Sequence, residues 1–213
     1  MDSPPPQPEG RVARRQRRVR EALIEAARII MSEKGVDGAT MLEIAERADV
    51  GAGTVYNYFK SKDELAVAVL EEMMFDLAQR IEKVTNTFDD PAQVYAFGVR
   101  TVLENATRDI RWRQLLNRSE VLADATYRRM GPFAIRDLQQ ATAAGRFFCT
   151  DAELVWKMAT HAIVGVSLAI TTGELTEDKI HEAVVRLLCM TGIGRDAAED
   201  LAARPRPALA PER

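Results

Sequence analysis

Apolar residues recur every three or four positions along most of the chain, which is the period of an amphipathic helix. No run of alternating polar and apolar residues is long enough to predict a strand. The pattern predicts a first helix from near Arg14 to Lys34, with Gly35 as its stop, and a long fourth helix over about Lys62 to Val84. Between them, residues 40 to 62 predict two short helices joined by a tight turn. The chain is therefore expected to be all-α.

The two short helices have recognisable start signals. Thr40 with Glu43 forms a capping box at the start of the first. A polar turn follows, and the second begins at Ala52, with Val55 and Phe59 one turn apart on its buried side. The outward face of the second helix has little bulk at its start, then hydroxyl groups and an amide: Ala52, Gly53, Thr54, Tyr56 and Asn57. Such a helix end suits a DNA groove, because bulk would hold the backbone away from phosphates.

This stretch resembles the DNA-binding domain of TetR-type transcriptional repressors. The matching positions are Thr40, Ile44-Ala45, Ala48, Val50, Gly53-Thr54-Val55-Tyr56, Tyr58-Phe59 and Lys62. Two positions depart from the family pattern: Gly51 stands where a capping Ser is usual, and Ala52 where many members carry a long polar residue. The resemblance implies an N-terminal three-helix, helix-turn-helix DNA-binding domain. A long fourth helix would link it to a C-terminal helical domain that binds a ligand and dimerises.

The expected domain organisation follows from that resemblance and from the Pro-rich ends. It comprises a disordered arm over 1–10, the helix-turn-helix domain over 11–62, a connecting helix over 63–84, an effector-binding and dimerisation domain over 85–200, and a disordered tail over 201–213.

The resemblance also assigns DNA contacts. Phosphate contacts are implied for Thr40, Thr54, Tyr56 and Lys62. Gly53 and Asn57 would face base edges, where Asn can bond adenine through two hydrogen bonds. Tyr58 is expected either to contact DNA or to pack. The remaining candidates are Ala52 and the arginines Arg14, Arg15, Arg17 and Arg18.

Charge is distributed unevenly along the chain. Residues 10 to 62 hold 11 basic and 7 acidic residues, whereas the rest holds 18 basic and 25 acidic ones. A polyanion would therefore be drawn to the N-terminal part. The arginine-rich stretch that begins at Arg11 is expected to contact phosphates or the minor groove, as homeodomain arms do. A solubilising segment, or a site for some other acidic partner, is the alternative.

Two helices near the C-terminus bear on assembly. Asp151 is expected to cap a helix over Ala152–Thr172, and a last major helix is expected over Glu177–Thr191. The first of them is apolar on most sides, so it belongs to a core or an interface. The resemblance implies that both pair with their mates as a four-helix bundle in a homodimer. The candidate interface residues are Ala162, Gly165, Val166, Ala169, Ile180, Val184, Leu187 and Leu188.

The resemblance further implies a small-molecule effector in the C-terminal helices, whose binding moves the fourth helix. Large apolar side chains and one arginine are the candidate ligand residues: Phe97, Arg100, Trp112, Leu116, Phe133, Phe147, Trp156 and Met158. For any one of the apolar side chains, ordinary core packing is the alternative. A kink or break is expected at Gly131-Pro132 in the helix over 123–144. Most of the arginines in this region are expected to be solvated surface, and one or two would pair with an acidic effector such as a fatty acid or acyl-CoA.

Other function classes find little support. No nucleophile elbow, metal-ligand spacing or phosphate loop is found, and no cofactor is expected. No apolar run is expected to span a bilayer, and no signal core is present, so a cytoplasmic location is expected. Cys149 and Cys189 are expected to be two buried thiols, with a disulfide as the alternative.

The sequence thus predicts a homodimeric repressor that binds an inverted repeat in double-stranded DNA and answers a small molecule. The alternatives are an activator or architectural regulator without an effector and, more remotely, a helical enzyme or carrier.

Overall fold

The computed structural model describes residues 10–108 and 119–210. Within these ranges the chain is helical and no strand occurs, as predicted. The predicted disordered arm, apart from Gly10, and the candidates Trp112 and Leu116 lie outside the described residues. The helices are α1 (Arg11–Gly38), α2 (Met41–Arg47), α3 (Ala52–Tyr58), α4 (Lys62–Thr85), α5 (Pro91–Arg108), α6 (Ser119–Ala143), α7 (Ala152–Thr171), α8 (Lys179–Cys189) and α9 (Arg195–Ala203).

The chain divides into two compact units between Val69 and Leu70, inside α4. The sequence placed the division near residue 85, at the end of this helix. The structure places it earlier because the first two turns of α4 group with α1, α2 and α3. One continuous helix therefore contributes residues to both units.

In the N-terminal unit, α1 begins one turn earlier than predicted and is broken where predicted. Gly35 has a φ of 77°, a backbone conformation that favours glycine, and the helical stretch ends there before a last turn to Gly38. Leu23 and Ala27 on the inner face of α1 are fully buried, as is Ile44 of α2. The hydrophobic face predicted from the sequence thus forms the core of this unit.

In the C-terminal unit, α6 packs against α5 and α7. The prediction at Gly131 and Pro132 was a kink or a break, and the helix continues through both residues, so the break does not occur. Gly131 packs closely against a large neighbour, since a Cβ there would lie 3.4 Å from Nε1 of Trp156. That Nε1 donates a hydrogen bond to the backbone oxygen of Tyr127, at 3.3 Å. Close packing against α7 thus holds this part of α6.

The C-terminal end is more ordered than the sequence indicated. Helix α9 runs to Ala203, and Leu201 and Ala202 are buried. Beyond it, Arg204 forms an ion pair with Asp90 at 2.7 Å. The expectation of disorder from residue 201 is therefore wrong for 201–210, because apolar burial and ion pairs fix this segment on its own unit.

Helix α7 is, among the described residues, long and apolar enough to cross a membrane by length and composition alone. No such run was expected from the amino-acid sequence. One face of α7 is buried and includes Trp156, Ala159 and Ile163. Because this face packs against α5 and α6, we interpret α7 as a core helix of the C-terminal unit.

Candidate nucleic-acid interface and ligand pocket

The start of α2 is fixed by a complete capping box. The Thr40 hydroxyl accepts from the backbone N–H of Glu43 at 3.2 Å, and the Thr40 backbone N–H donates to Oε2 of Glu43 at 3.1 Å. The hydroxyl also donates to the same carboxylate, at 2.9 Å. Hydrogen bonds from Lys34 and then Thr40 lower the pKa of Glu43 below its ordinary value. Thr40, a candidate phosphate contact, therefore serves first as a structural cap.

The turn between α2 and α3 tolerates both departures from the family pattern. Asp49 takes a positive φ of 54°, a conformation that Asp adopts more readily than most residues. Gly51 is the N-cap of α3 and, without a side chain, makes no side-chain capping bond. Helix α3 still begins at Ala52, because Gly costs only a few tenths of a kcal/mol relative to Ser at this position.

The outward face of α3 is open to solvent, as predicted. Ala52, Gly53 and Asn57 are exposed, and Tyr56 is 52% exposed. Nothing lies within 4 Å of the position that a Cβ at Gly53 would take. Two further candidates, Thr54 and Tyr58, are half-buried. The start of α3 is therefore an exposed helix end without bulky side chains.

The opposite face of α3 anchors the helix in its unit. Val55 is fully buried and Phe59 is 1% exposed. The guanidinium carbon of Arg20 lies 5.3 Å from the centroid of the Phe59 ring, within cation–π range. Arg20 therefore connects α1 to the end of α3.

Lys62 has an internal role that the sequence did not indicate. Its Nζ donates to the backbone oxygens of Asp37 at 2.8 Å and Ala39 at 3.1 Å. These oxygens flank the turn between α1 and α2. Two of its three N–H donors are thus used within the unit, so Lys62 joins the start of α4 to that turn.

The N-terminal arginines lie on a helix and not on an extended arm. Arg has a good helix propensity, which favours this conformation. The backbone N–H of Arg14 donates a hydrogen bond to the backbone oxygen of Gly10 at 3.1 Å. Arg17 pairs with Glu21 at 3.6 Å. Four arginines share one exposed face and have no ion-pair partner among the described residues; we call them the arginine stripe: Arg11, Arg14, Arg15 and Arg18.

A pocket lies within the C-terminal unit. Its empty volume is about 350 Å³, including its open mouth. Helices α4, α5, α6 and α7 all contribute to it. The lining residues are Ala78, Ile81, Tyr95, Gly98, Val99, Val102, Met130, Phe133, Ala134, Asp137 and Trp156.

Two polar side chains stand out in this apolar lining. The Tyr95 hydroxyl is buried and has no hydrogen-bond partner among the described residues. Burial, followed by the nearby Cys149 and Asp137, raises its pKa well above the ordinary value. Asp137 is 8% exposed, and Oδ1 of its carboxylate accepts from Arg136 at 2.9 and 3.0 Å. Burial raises the pKa of Asp137 even though Arg136 favours its charged form.

Two family models match the chain, one in each half. Residues 23–69 match the model of bacterial regulatory proteins of the tetR family, and residues 90–204 match that of the tetracyclin repressor-like C-terminal domain. Together these matches cover more than half of the chain. The chain belongs to the TetR family.

Solved structures of TetR-type folds agree with this assignment. RolR, solved in complex with resorcinol, is 30% identical, with a TM-score of 0.82 over 93% of this chain and 100% of that one. FadR from Bacillus subtilis, in complex with stearoyl-CoA, has a TM-score of 0.57 over 82% of this chain and 99% of that one. At 19% identity, the likeness to FadR shows the fold alone.

A repressor is found among the curated relatives. The HTH-type transcriptional repressor KstR of Mycolicibacterium smegmatis is 32% identical over 117 residues. These residues are 55% of this TetR-family chain and 56% of KstR. The chain thus spans about half the length of this relative.

The structure separates the predicted ligand residues. Phe133 and Trp156 line the pocket, and Phe147 packs edge-on against Tyr95 with ring centroids 5.8 Å apart. The other described candidates lie elsewhere. Phe97 packs against Phe88, Met158 is 43% exposed, and Arg100 bonds Glu104 and the Ala202 backbone.

Sequence reasoning missed the polar members of the pocket. Asp137 follows Met130 and Phe133 at helical spacing, which places a charged residue on the inward face of the helix. That pattern could have indicated a polar group in the pocket. Tyr95 likewise shares its face of α5 with Val99 and Val102.

The candidate dimer residues also form two groups. Those on α8 are at most 6% exposed within the single chain, which leaves little of their surface for contact with a second copy: Ile180, Val184, Leu187 and Leu188. These side chains belong to the core of their own unit. Those on α7 are exposed or half-buried: Ala162, Gly165, Val166 and Ala169.

Proposed function

We propose that this TetR-family chain is a homodimeric transcriptional repressor that binds an inverted repeat and is released from it by a small molecule. The DNA-binding part of the proposal rests on one observation. The start of α3 is exposed and carries only small side chains, while the opposite face of this helix is buried in the N-terminal unit. A cytoplasmic location follows from a chromosomal target.

Base reading by α3 rests on few side chains. Asn57 is exposed and can donate to and accept from an adenine edge. The helix carries no Arg or Lys, so direct guanine recognition by α3 is weak. The small residues Ala52 and Gly53 bring the helix end close to the duplex, and Thr54 and Tyr56 bond phosphates.

The arginine stripe supplies sequence-independent affinity. Its four guanidinium groups lie on one face of the first two turns of α1. Each phosphate that they neutralise releases counterions and steepens the dependence of affinity on salt. The stripe thus positions the protein on DNA without selecting the sequence.

Dimerisation brings two copies of α3 onto one duplex. The outward face of α7 supports this assembly, because it combines the small Gly165 and Ala169 with Leu154 and Met158, which are 55% and 43% exposed. An exposed apolar face on a helix favours pairing with a second copy. In such a dimer the two recognition helices lie about 34–36 Å apart, or a multiple of that distance.

The effector is proposed to be a compact molecule with a single ring. Resorcinol, the ligand in the RolR complex, supports this size. The space inside the lining, about 350 Å³ with the open solvent at its mouth included, is an upper bound on the pocket and also favours a small ligand. A long acyl-CoA is disfavoured by this volume. Arg100, once a candidate for binding such a ligand, already pairs with Glu104.

Release of DNA would act through α4. Ala78 and Ile81 of α4 line the pocket, and the same helix begins at Lys62 in the N-terminal unit. A ligand that favours one position of α4 changes operator affinity by its differential affinity for the two states. A coupling of about 1–3 kcal/mol changes that affinity about 5- to 150-fold.

The test of DNA reading is selection from a random duplex library at about 150 mM salt, where non-specific phosphate binding is weakened. Sequencing of the retained DNA is expected to give an inverted repeat. Recovery of nothing above background would contradict the proposed function. Release of the selected operator by resorcinol then separates a ligand-responsive repressor from a regulator without an effector.

A further inference from the structure

The Tyr95 hydroxyl is a buried polar group whose hydrogen bonds are unused. Tyr95 lines the pocket from α5, is 1% exposed, and its hydroxyl has no hydrogen-bond partner among the described residues. Buried hydroxyls are nearly always paired, so an unpaired one needs an explanation. The ring itself is held firmly, edge-on against Phe147.

The other polar feature of the pocket complements this hydroxyl. Asp137 lines the pocket from α6, and Arg136 bonds only Oδ1 of its carboxylate. Among the residues that the structure describes, none donates to Oδ2, which leaves this oxygen as an acceptor. The rest of the lining is apolar or aromatic, including Phe133 and Trp156.

We propose that Tyr95 selects effectors that carry a hydroxyl group on a small aromatic ring, by forming a hydrogen bond to that hydroxyl. The apolar side chains of the lining pack against the ring, and the Asp137 carboxylate is the acceptor available to a second hydroxyl of the ligand. A neutral ligand fits this site better than an anion, because an anion would face the Asp137 carboxylate in an apolar surrounding. This inference rests on the proposed function, since it assigns chemistry to the same effector pocket.

The energetic basis is the cost of an unpaired polar group. A ring without a hydroxyl would bury Tyr95 again without a partner, whereas a phenol would pair it. The site therefore discriminates between two ligands of nearly the same size, phenol and toluene. We expect phenol to bind at least about fivefold more tightly than toluene to the full-length wild-type protein.

Tyr95→Phe isolates this contribution, because it removes one oxygen and keeps the ring against Phe147. Binding of phenol and toluene is measured by calorimetry for the wild type, for Tyr95→Phe and for Tyr127→Phe. Tyr127 is a matched control, since it lies on α6 of the same unit and does not line the pocket. The ratio of the affinities for phenol and toluene is expected to fall to about one in Tyr95→Phe and to remain at its wild-type value in Tyr127→Phe.

The unfolding temperature of the ligand-free variant gives a second readout. Tyr95→Phe is expected to unfold at the same temperature as the wild type or higher, because it removes a buried hydroxyl that lacks a partner. A clear fall would overturn the inference, since it would mean that the hydroxyl already has a structural partner.

The outcomes separate this inference from the proposed function. Equal binding of phenol and toluene to the wild type, or an unchanged preference in Tyr95→Phe, overturns the role of Tyr95 and leaves a single-ring effector standing. Binding of neither ring overturns both. Loss of the preference in Tyr95→Phe alone supports both.

Discussion

The basic side chains of the N-terminal unit differ in their surroundings more than in their charge. Lys62 donates to two backbone oxygens of its own unit, whereas Arg15 of the arginine stripe has no ion-pair partner among the described residues. An internally bonded cation stabilises the fold, while an exposed one is available to phosphates. The two roles predict different responses to salt.

Lys62→Met is expected to destabilise the protein by about 1–2 kcal/mol, because two backbone acceptors lose their donor. It should weaken operator binding without changing the slope of affinity against salt. Arg15→Gln should leave stability within about 0.5 kcal/mol and reduce that slope by about one ion. Denaturant unfolding and anisotropy titrations at several salt concentrations test both. A reduced slope for Lys62→Met would instead make it a phosphate contact.

Asn57→Ala tests base reading by α3. The exposed amide is expected to contribute about 1–3 kcal/mol of discrimination at an adenine. The variant should therefore lose affinity for the selected operator while keeping its affinity for random duplex. Competition binding with the two duplexes measures this. Equal losses on both would contradict the assignment of Asn57 to a base edge.

At the scale of helices, Asp90 holds the start of α5 to other parts of the C-terminal unit. Its Oδ1 accepts from the backbone N–H of Ala92 at 3.0 Å. Its carboxylate also pairs with Arg146 at 2.9 Å and with Arg204 at 2.7 Å. Burial opposes the charge, but the bonds from Arg204 and Arg146 outweigh it and lower the pKa of Asp90.

Asp90→Asn is expected to cost about 1–3 kcal/mol at neutral pH, through a weaker cap and the loss of the ion pairs with Arg146 and Arg204. Because the folded pKa lies below the unfolded value of about 3.9, the stabilisation is present above that pH. It disappears as pH falls through the folded pKa, so the wild type and the variant should converge in strong acid. Urea unfolding against pH tests this, with the exposed Asp89→Asn as control. A constant difference at all pH values would contradict the account.

Features formed by residues close together in the sequence could be predicted from it, whereas features formed by distant residues could not. The Thr40–Glu43 capping box and the Gly35 break are local, so the sequence indicated both. The pairing of Arg204 with Asp90 joins residues 114 positions apart, and no local pattern predicts it. For the same reason, only part of the pocket lining could be predicted. Phe133 and Trp156 are large and apolar, whereas the importance of Tyr95 depends on what surrounds its hydroxyl.

The whole molecule is expected to function as a dimer that pairs through α7. Gly165 is exposed, and no atom lies within 4 Å of the position that its Cβ would take. A larger side chain therefore fits in one chain but would enter a helix pair. This separates folding from association.

Gly165→Glu is expected to fold and to remain monomeric, because it places a charge in an apolar interface. Operator affinity should fall by about 100-fold or more, since the two half-sites are no longer bound together. Sedimentation and operator titration measure both effects. Gly194→Glu is the control, because that glycine is also exposed and unobstructed but lies at the start of α9. A dimeric Gly165→Glu would exclude this face of α7.

The most direct test of the central claim is a titration of the protein–operator complex with phenol, followed by fluorescence anisotropy. Thermal shift first identifies the phenol concentration that saturates the pocket. At that concentration, operator affinity is expected to fall about 5- to 150-fold. Unchanged operator affinity with a saturated pocket would contradict the claim that this TetR-family chain is a ligand-released repressor.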